Sequence, residues 1–325
     1  MTNPIISVRD LSIRYRAKDQ VVYAVEHVSF DLQAGQTLAL VGESGSGKTT
    51  AALSILRLLP QEAEILSGQV IFGEYDLLTL SQKELRSHRG RAISMIFQDP
   101  VAGLNPVIPV GDQVAEMLTT HTGAGKKDAR KQALAILRDV GLADPERIAR
   151  AYPFQLSGGM CQRVMIGIAT ALDPTVIIAD EPTSALDVTV QAQILSQLDL
   201  LRQQRGTAIL LITHDFGVVA QMADTVAVMY AGRVVEVGET EAIIGQPLHP
   251  YTHALIETLP RVDASKEHLR QIPGHQPEMT APAEHCPFIP RCIKAMNACR
   301  EGPPPVLQPH DGRHPVACYN PVWQG

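Results

Sequence analysis

The stretch "VGESGSGKTT", Val41 to Thr50, decides how this chain is read. It follows the apolar run Thr37-Leu38-Ala39-Leu40-Val41 and holds three glycines, two serines, one lysine and two threonines. The spacing Gly42-x4-Gly47-Lys48-Thr49 predicts a phosphate-binding loop between a buried strand and a helix over 49–59. Glycines let successive backbone N–H groups turn inward and approach an anion closely, and the following helix offers its positive end. The candidate nucleotide-binding residues are Gly42, Ser44, Gly45, Ser46, Gly47, Lys48, Thr49 and Thr50. Lys48 supplies a point charge to the β and γ phosphates, and the Thr49 hydroxyl ligates Mg²⁺. The plain alternative is a Gly/Ser strand-to-helix turn.

Such a loop needs a carboxylate for the metal at the end of a neighbouring strand. The run Val176-Ile177-Ile178-Ala179-Asp180-Glu181 supplies it. Asp180 is expected to hold Mg²⁺, and Glu181 to polarise the attacking water. His214, after Leu211-Ile212-Thr213, ends a third apolar run and is a candidate hydrogen-bond donor to the γ-phosphate.

These runs sit in an α/β pattern. Thr37–Val41, Val176–Ala179 and Ala208–Ile212 read as buried parallel strands. Helical stretches separate them, among them Val188–Gln204 with Ile194, Leu195, Leu198 and Leu201 on one face. Ligands of such sheets lie at the C-terminal strand ends. Ile5–Tyr15, Val21–Leu32 and Gly68–Phe72 alternate apolar and polar, as antiparallel strands with one wet face do. Residues 105–165 are mainly helical, for example Lys127–Val140. Near Gln246 the composition changes: 14 of the 23 prolines and four of the five cysteines lie in the last 80 residues. The domains predicted are therefore 1–245, with a helical subdomain at about 100–170, and an extension over 246–325.

The bulk numbers exclude several classes. The chain has 325 residues, 45% apolar and 19% charged, with a formal net charge of −6. That argues against disorder and against a general pull toward nucleic acid or anionic lipid. No apolar run reaches the roughly 18 residues of a spanning helix, and no secretory signal is visible. A cytosolic chain is expected, peripheral to any membrane it serves.

The stretch "LSGGM", Leu156–Met160, puts Ser157, Gly158 and Gly159 at the start of a helix expected over Met160–Ala171, a second anion-binding terminus. Two such termini serve one nucleotide most simply if two subunits face each other. Here the sequence resembles an ABC-transporter ATPase. The motifs that carry the resemblance are "GESGSGKTT", "FQDP" with Gln98, "LSGGM", "VIIADEP", "SALD" at Ser184–Asp187 and "ITHD" with His214. The resemblance implies a P-loop ABC cassette with a parallel-sheet core, an antiparallel β subdomain and a helical subdomain. It implies that Gln98 senses Mg²⁺ and links to the permease, that Ser157 and Gly159 contact the partner's γ-phosphate, and that Asp187 lies in a dimer-facing loop. Tyr15 takes the place of the aromatic that stacks on adenine, with Tyr23 as competitor. "FQDPVAGLNPVIPVG" and "HPYTHAL" (His249–Leu255), followed by the Pro/Cys tail, look like the dipeptide, oligopeptide and nickel importer group. Cys161 stands where that family usually has Arg, which implies a lost surface contact and a lost positive charge. Phe154 replaces a common His.

Cys286, Cys292, Cys299 and Cys318 offer four soft ligands, so zinc and an iron–sulfur cluster are both open on chemistry. The resemblance implies a [4Fe-4S] cluster, with zinc as the alternative. His285, His310 and His314 lie near these cysteines and are expected to be solvated or substitute ligands. The partners implied are a second ATPase subunit (a paralogue, as is common in this group, or a second copy of this chain), two integral membrane permease subunits and an extracellular solute-binding protein. The transported solute stays open among dipeptides, longer peptides, nickel chelates, opines and sugars. DNA-repair and chromosome ATPases share the head fold, but the 110 residues from Gly47 to Ser157 leave no room for their coiled coils.

Overall fold

Strand Ile6–Ala17 shows why a simple alternation rule misreads the N-terminus. Ile6 and Val8 are buried, then Leu11 and Ile13, so the buried phase changes from even to odd. Asp10, at φ +48°, is the extra residue that resets it. The register with strand Gln20–Leu32 shifts between Val8 and Leu11, and His27 Nδ1 lies 2.6 Å from Asp10 Oδ1 at this bulge. Opposite it, a Cβ on Gly68 would stand 2.6 Å from Leu11 Cα. The computed structural model describes residues 3–17, 20–184, 186–259, 271–310 and 312–322. They fall into two compact units, 1–33, 37–78 and 212–325 in one, 34–36 and 79–211 in the other.

In the first unit an antiparallel sheet runs in the order Gln20–Leu32, Ile6–Ala17, Ala63–Phe72, Tyr75–Asp76. A second set of strands starts at Thr37–Val41, buried throughout. It pairs in parallel with Thr225–Tyr230, Val41 opposite Val228. Thr225–Tyr230 turns back antiparallel into Arg233–Glu239, with Tyr230 opposite Arg233. Ala231 (φ +46°) and Gly232 (φ +78°) make that two-residue turn, the mirror-image type that suits twisted hairpins. The tail joins the same sheet: Val316 pairs with Glu236, and Pro315–Val316 with Gln308–Pro309.

The second unit pairs Ile93–Ile96 in parallel with Val176–Asp180, both buried along their whole length. Helices Val110–Thr122, Lys126–Asp139 and Gly158–Thr170 pack on one another. Helix Val188–Arg205 buries Ile194, Leu195 and Leu198, while Leu201 is only half-buried.

The α/β architecture expected from sequence is observed. Several elements differ in extent, most by one or two residues at an end. The helix expected to reach 59 ends at Ile55, because Arg57 takes a left-handed conformation (φ +50°) ahead of Pro60. The helix expected from Met160 begins at Gly158, because Ser157 caps it. Strand Ala63–Phe72 starts five residues before the expected Gly68.

Candidate functional site

The phosphate loop is built by sterics. Strand Thr37–Val41 delivers the chain to Gly42, where a Cβ would stand 2.2 Å from the Met229 carbonyl oxygen. At Gly47, the helix N-cap, a Cβ would stand 2.2 Å from the Ala24 carbonyl oxygen at φ +99°. Gly45 has open space around it, and its φ of +83° alone explains the glycine. Lys48 is 6% exposed. Its ammonium donates to the carbonyl oxygens of Gly42 and Glu43, both at 2.8 Å, and to Ser46 Oγ at 3.2 Å. Helix Lys48–Ile55 has no side-chain cap, and the positive end of a helix favours an anion. Ser44, Gly45 and Thr49 are exposed at the mouth of the loop, and Ser46 is buried beneath it.

Tyr15 belongs to this neighbourhood. Its hydroxyl lies 3.1 Å from Thr50 Oγ1. Tyr23 sits opposite Arg14 in the sheet and donates its backbone N–H to Met279. His214 is exposed at the end of strand Ala208–Thr213, just before helix Phe216–Met222. Asp215 caps that helix, accepting from Gly217 N at 2.7 Å and Val218 N at 3.4 Å.

The second unit holds the remaining candidates. Asp180 is buried at the end of its strand. Glu181 follows in a left-handed conformation, φ +44°. A non-glycine residue there is strained and persists only where neighbours enforce it. The enforcing contacts are visible: Ser184 N–H and Oγ both donate to the Glu181 carbonyl at 3.1 Å, and Gln162 Nε2 donates to the Pro182 carbonyl at 2.8 Å. Gln98 Nε2 donates to Glu181 Oε2 at 3.0 Å, so two sequence-predicted residues meet.

Ser157 accepts from Met160 N at 3.3 Å and is exposed, as is Gly158. A Cβ on Gly158 would meet no atom of its own chain within 4 Å, so nothing within the chain explains that glycine. Gly159 is half-buried, 3.5 Å from Val190 Cγ1 by the same measure. Asp187 caps helix Val188–Arg205, accepting from Val190 N at 3.0 Å. Ala185, inside "SALD", lies outside the described residues. Cys161 corrects an expectation. It is not a surface position but 0% exposed, its Sγ 3.5 Å from the Pro153 carbonyl, and burial pushes its thiol pKa up.

The tail is anchored by one buried carboxylate. Glu236, 0% exposed, accepts from Leu248 N (2.6 Å) and His249 N (2.9 Å), and its Oε1 lies 2.6 Å from His314 Nε2. His314 is therefore held by Glu236 rather than solvated or facing the cysteines. Exposed His285 has its Nδ1 3.0 Å from the Gly302 carbonyl, and half-buried His310 accepts a backbone bond from Arg313. Cys286, Cys292, Cys299 and Cys318 line one small pocket with Phe288, Lys294 and Tyr319. Burial raises the thiol pKa of Cys286 and Cys292 and pushes that of Cys318 up to about 12. None of the four forms a disulfide, and among the described residues no group of three or more His, Cys, Asp or Glu is placed to hold a metal ion.

Sequence reasoning missed three residues at the phosphate loop. Glu43 N–H donates to the Tyr251 hydroxyl at 2.8 Å, and Arg291 forms a bidentate pair with the Glu43 carboxylate at 2.6 and 2.9 Å. The signal was a carboxylate inside an anion cradle, which requires a cation from elsewhere. The chain does not say from where.

Two family models match: "ABC transporter" over residues 25–184, and "Oligopeptide/dipeptide transporter, C-terminal region" over 235–299. The dipeptide transport ATP-binding protein DppD of Bacillus subtilis is 46% identical over 97% of this chain and 94% of its own. The oligopeptide transport ATP-binding protein OppD of Haemophilus influenzae is 45% identical over 93% of each. Among solved structures, a dimeric ATP-binding cassette, MJ0796, in a post-hydrolysis state with ADP and Pi matches at a TM-score of 0.66 and 29% identity, over 72% of this chain and 98% of that one. The cbiO1 subunit from Clostridium perfringens matches at 0.62 and 26%, over 75% and 92%. No helix among the described residues is long and apolar enough to cross a membrane. The chain belongs to the ABC-transporter ATP-binding family, in the group that carries the oligopeptide/dipeptide transporter C-terminal region.

Proposed function

We propose that this chain is the ATP-hydrolysing subunit of an ABC importer that takes up di- or oligopeptides. The observation that carries the reading is the phosphate loop, where two glycines have no room for a Cβ and Lys48 lies buried across the loop carbonyls. The near full-length likeness to ATP-binding proteins of dipeptide and oligopeptide transport supports the substrate class.

In this reading the loop from Gly42 to Thr50 wraps the triphosphate, Tyr15 stacks on adenine and Thr49 holds Mg²⁺ together with Asp180 and Gln98. Glu181 acts as general base on the attacking water, and His214 donates to the γ-phosphate. Ser157, Gly158 and Gly159 reach the ATP of a second ATPase subunit, a paralogue. An exposed helix tip with a glycine its own chain does not require supports that role. Asp187 borders the same dimer face. Two permease subunits receive the motion near Gln98, and an external solute-binding protein delivers the peptide to them. The chain works at the cytoplasmic face of the inner membrane, with a cassette over 1–245, its helical subdomain at about 100–170, and an extension over 246–325.

We further infer that the four cysteines hold a [4Fe-4S] cluster rather than zinc. The donor set, four cysteine sulfurs around one pocket, suits such a cluster. When bound, such a cluster ties together four points of a proline-rich tail.

Glu181→Gln tests the catalytic part. It is expected to lower ATP turnover at least about 100-fold and to accumulate an ATP-bound dimer. Hydrolysis at the wild-type rate would remove Glu181 from its role.

A further inference from the structure

Glu43 is gripped at every polar group it has. Its N–H donates to the Tyr251 hydroxyl at 2.8 Å. Its carbonyl accepts from Lys48 Nζ at 2.8 Å and from Ser46 N at 3.2 Å. Its carboxylate takes both prongs of the Arg291 guanidinium. Arg291 is itself immobilised. Its side chain is 4% exposed, its Nε donates to the Pro273 carbonyl at 2.9 Å, and its guanidinium carbon lies 5.8 Å from the Tyr230 ring centre. Tyr230, Tyr251 and Phe288 pack together, with ring centres 4.6 to 5.5 Å apart. Arg291 ends the short turn Ile289–Arg291, immediately before Cys292.

A carboxylate one residue from Ser44 works against binding a triphosphate. Like charges at such range repel, and the repulsion is stronger where water is excluded. The bidentate pair removes that penalty, and the planar fork fixes the direction of the carboxylate. It also fixes residue 43, whose carbonyl is a docking point for the Lys48 ammonium.

We propose that Arg291 is a positioning residue for ATP binding, supplied by the C-terminal extension, which acts through Glu43 by cancelling its charge and holding the phosphate loop. The inference rests on the reading of the loop as an ATP site. It assigns the extension a part in nucleotide affinity, with Tyr251 of the His-Pro-Tyr motif as the second grip.

The test uses the two halves of the ion pair in the full-length chain, with binding of a fluorescent ATP analogue and steady-state hydrolysis as readouts. Arg291→Met is expected to weaken nucleotide binding about tenfold and to raise KM in step, with kcat changing far less. Glu43→Gln keeps an acceptor for Arg291 but removes the anion, and is expected to bind at least as tightly as wild type. In Arg291→Met/Glu43→Gln, affinity is expected to return to within about threefold of wild type, because the uncompensated carboxylate is gone. A merely structural pair gives the same sign for both single variants. Weakening by both, or wild-type affinity in Arg291→Met, overturns the proposal. Should Arg291→Met not fold, Glu43→Gln and Arg291→Lys decide it, the latter expected to fall between wild type and a tenfold loss, with unchanged affinity as the overturning result. A wild-type chain that binds no ATP removes the ATP reading itself, whereas a binding wild type with an equal Arg291→Met removes only this inference.

Discussion

His249 makes the extension sensitive to acid, and the size of the effect can be worked out. It is 2% exposed and caps helix Pro250–Glu257 by accepting the Tyr251 N–H at its Nδ1, 3.0 Å away. An accepting nitrogen carries no proton, so the folded chain needs neutral imidazole. Burial lowers the His249 pKa from 6.5 to about 4, with the nearby Glu236 carboxylate opposing part of the shift. The unfolded chain therefore binds a proton first as the pH falls. Stability from this group is complete above pH 6.5 and is lost progressively down to about pH 4. Between pH 7 and pH 5 the loss comes to about 2 kcal/mol, rising toward about 3 at pH 4. His249→Asn keeps a capping acceptor without the titration. Urea unfolding of both proteins at a series of pH values reads the difference. Wild type is expected to lose about 2 kcal/mol more than the variant between pH 7 and 5. Glu236 and His314 are present in both, so they cancel in the comparison. Parallel pH profiles for the two proteins would refute the argument that His249 is held neutral by its surroundings.

Two further outcomes follow from named contacts. Gly47→Ala puts a methyl group 2.2 Å from the Ala24 carbonyl in a left-handed conformation, so the loop must move. ATP binding is expected to fall at least about 100-fold with far-UV circular dichroism unchanged, and retained affinity would show that the loop adapts. Cys286→Ser removes one of the four pocket thiols, and iron and sulfide content together with the visible absorbance of anaerobically purified protein are expected to drop. A wild-type protein containing stoichiometric zinc and no sulfide would reject the cluster.

Much of the site was legible because it is local. The phosphate loop, the Asp180-Glu181 strand end and the Ser157 cap each depend on residues within about one turn, so spacing predicts geometry. Gln98 and Glu181 are 83 residues apart and still meet, because both lie just past strands that pair directly. The bulge at Asp10 was not legible. A one-residue phase change in an alternating pattern looks like noise until the partner strand fixes it. The hairpin Thr225–Glu239 was overlooked although Ala231-Gly232 marks its turn. Cys161 was misjudged because the Arg usual at that place in the family implied a surface position. Its burial is set by the Pro153 turn that folds over it.

The contacts of the extension were illegible for a different reason. Tyr251 and Arg291 reach Glu43 across 208 and 248 residues. No periodicity encodes a pairing at that separation, and each residue alone reads as ordinary. What makes the pairing physically necessary is charge. Glu43 is a carboxylate in a loop built to bind an anion, and Glu236 is a fully buried carboxylate with no basic residue beside it in the chain. Burial of an unpaired carboxylate such as Glu236 is unfavourable by several kcal/mol, and Glu43 opposes an anion, so each needs donors from elsewhere. The extension provides them for both, the Arg291 guanidinium to Glu43, and His314 with the Leu248 and His249 N–H groups to Glu236. A cassette cut before residue 246 would therefore leave two carboxylates without their donors, one of them at the phosphate loop. The extension is part of the nucleotide site's electrostatics as well as a carrier of cysteines.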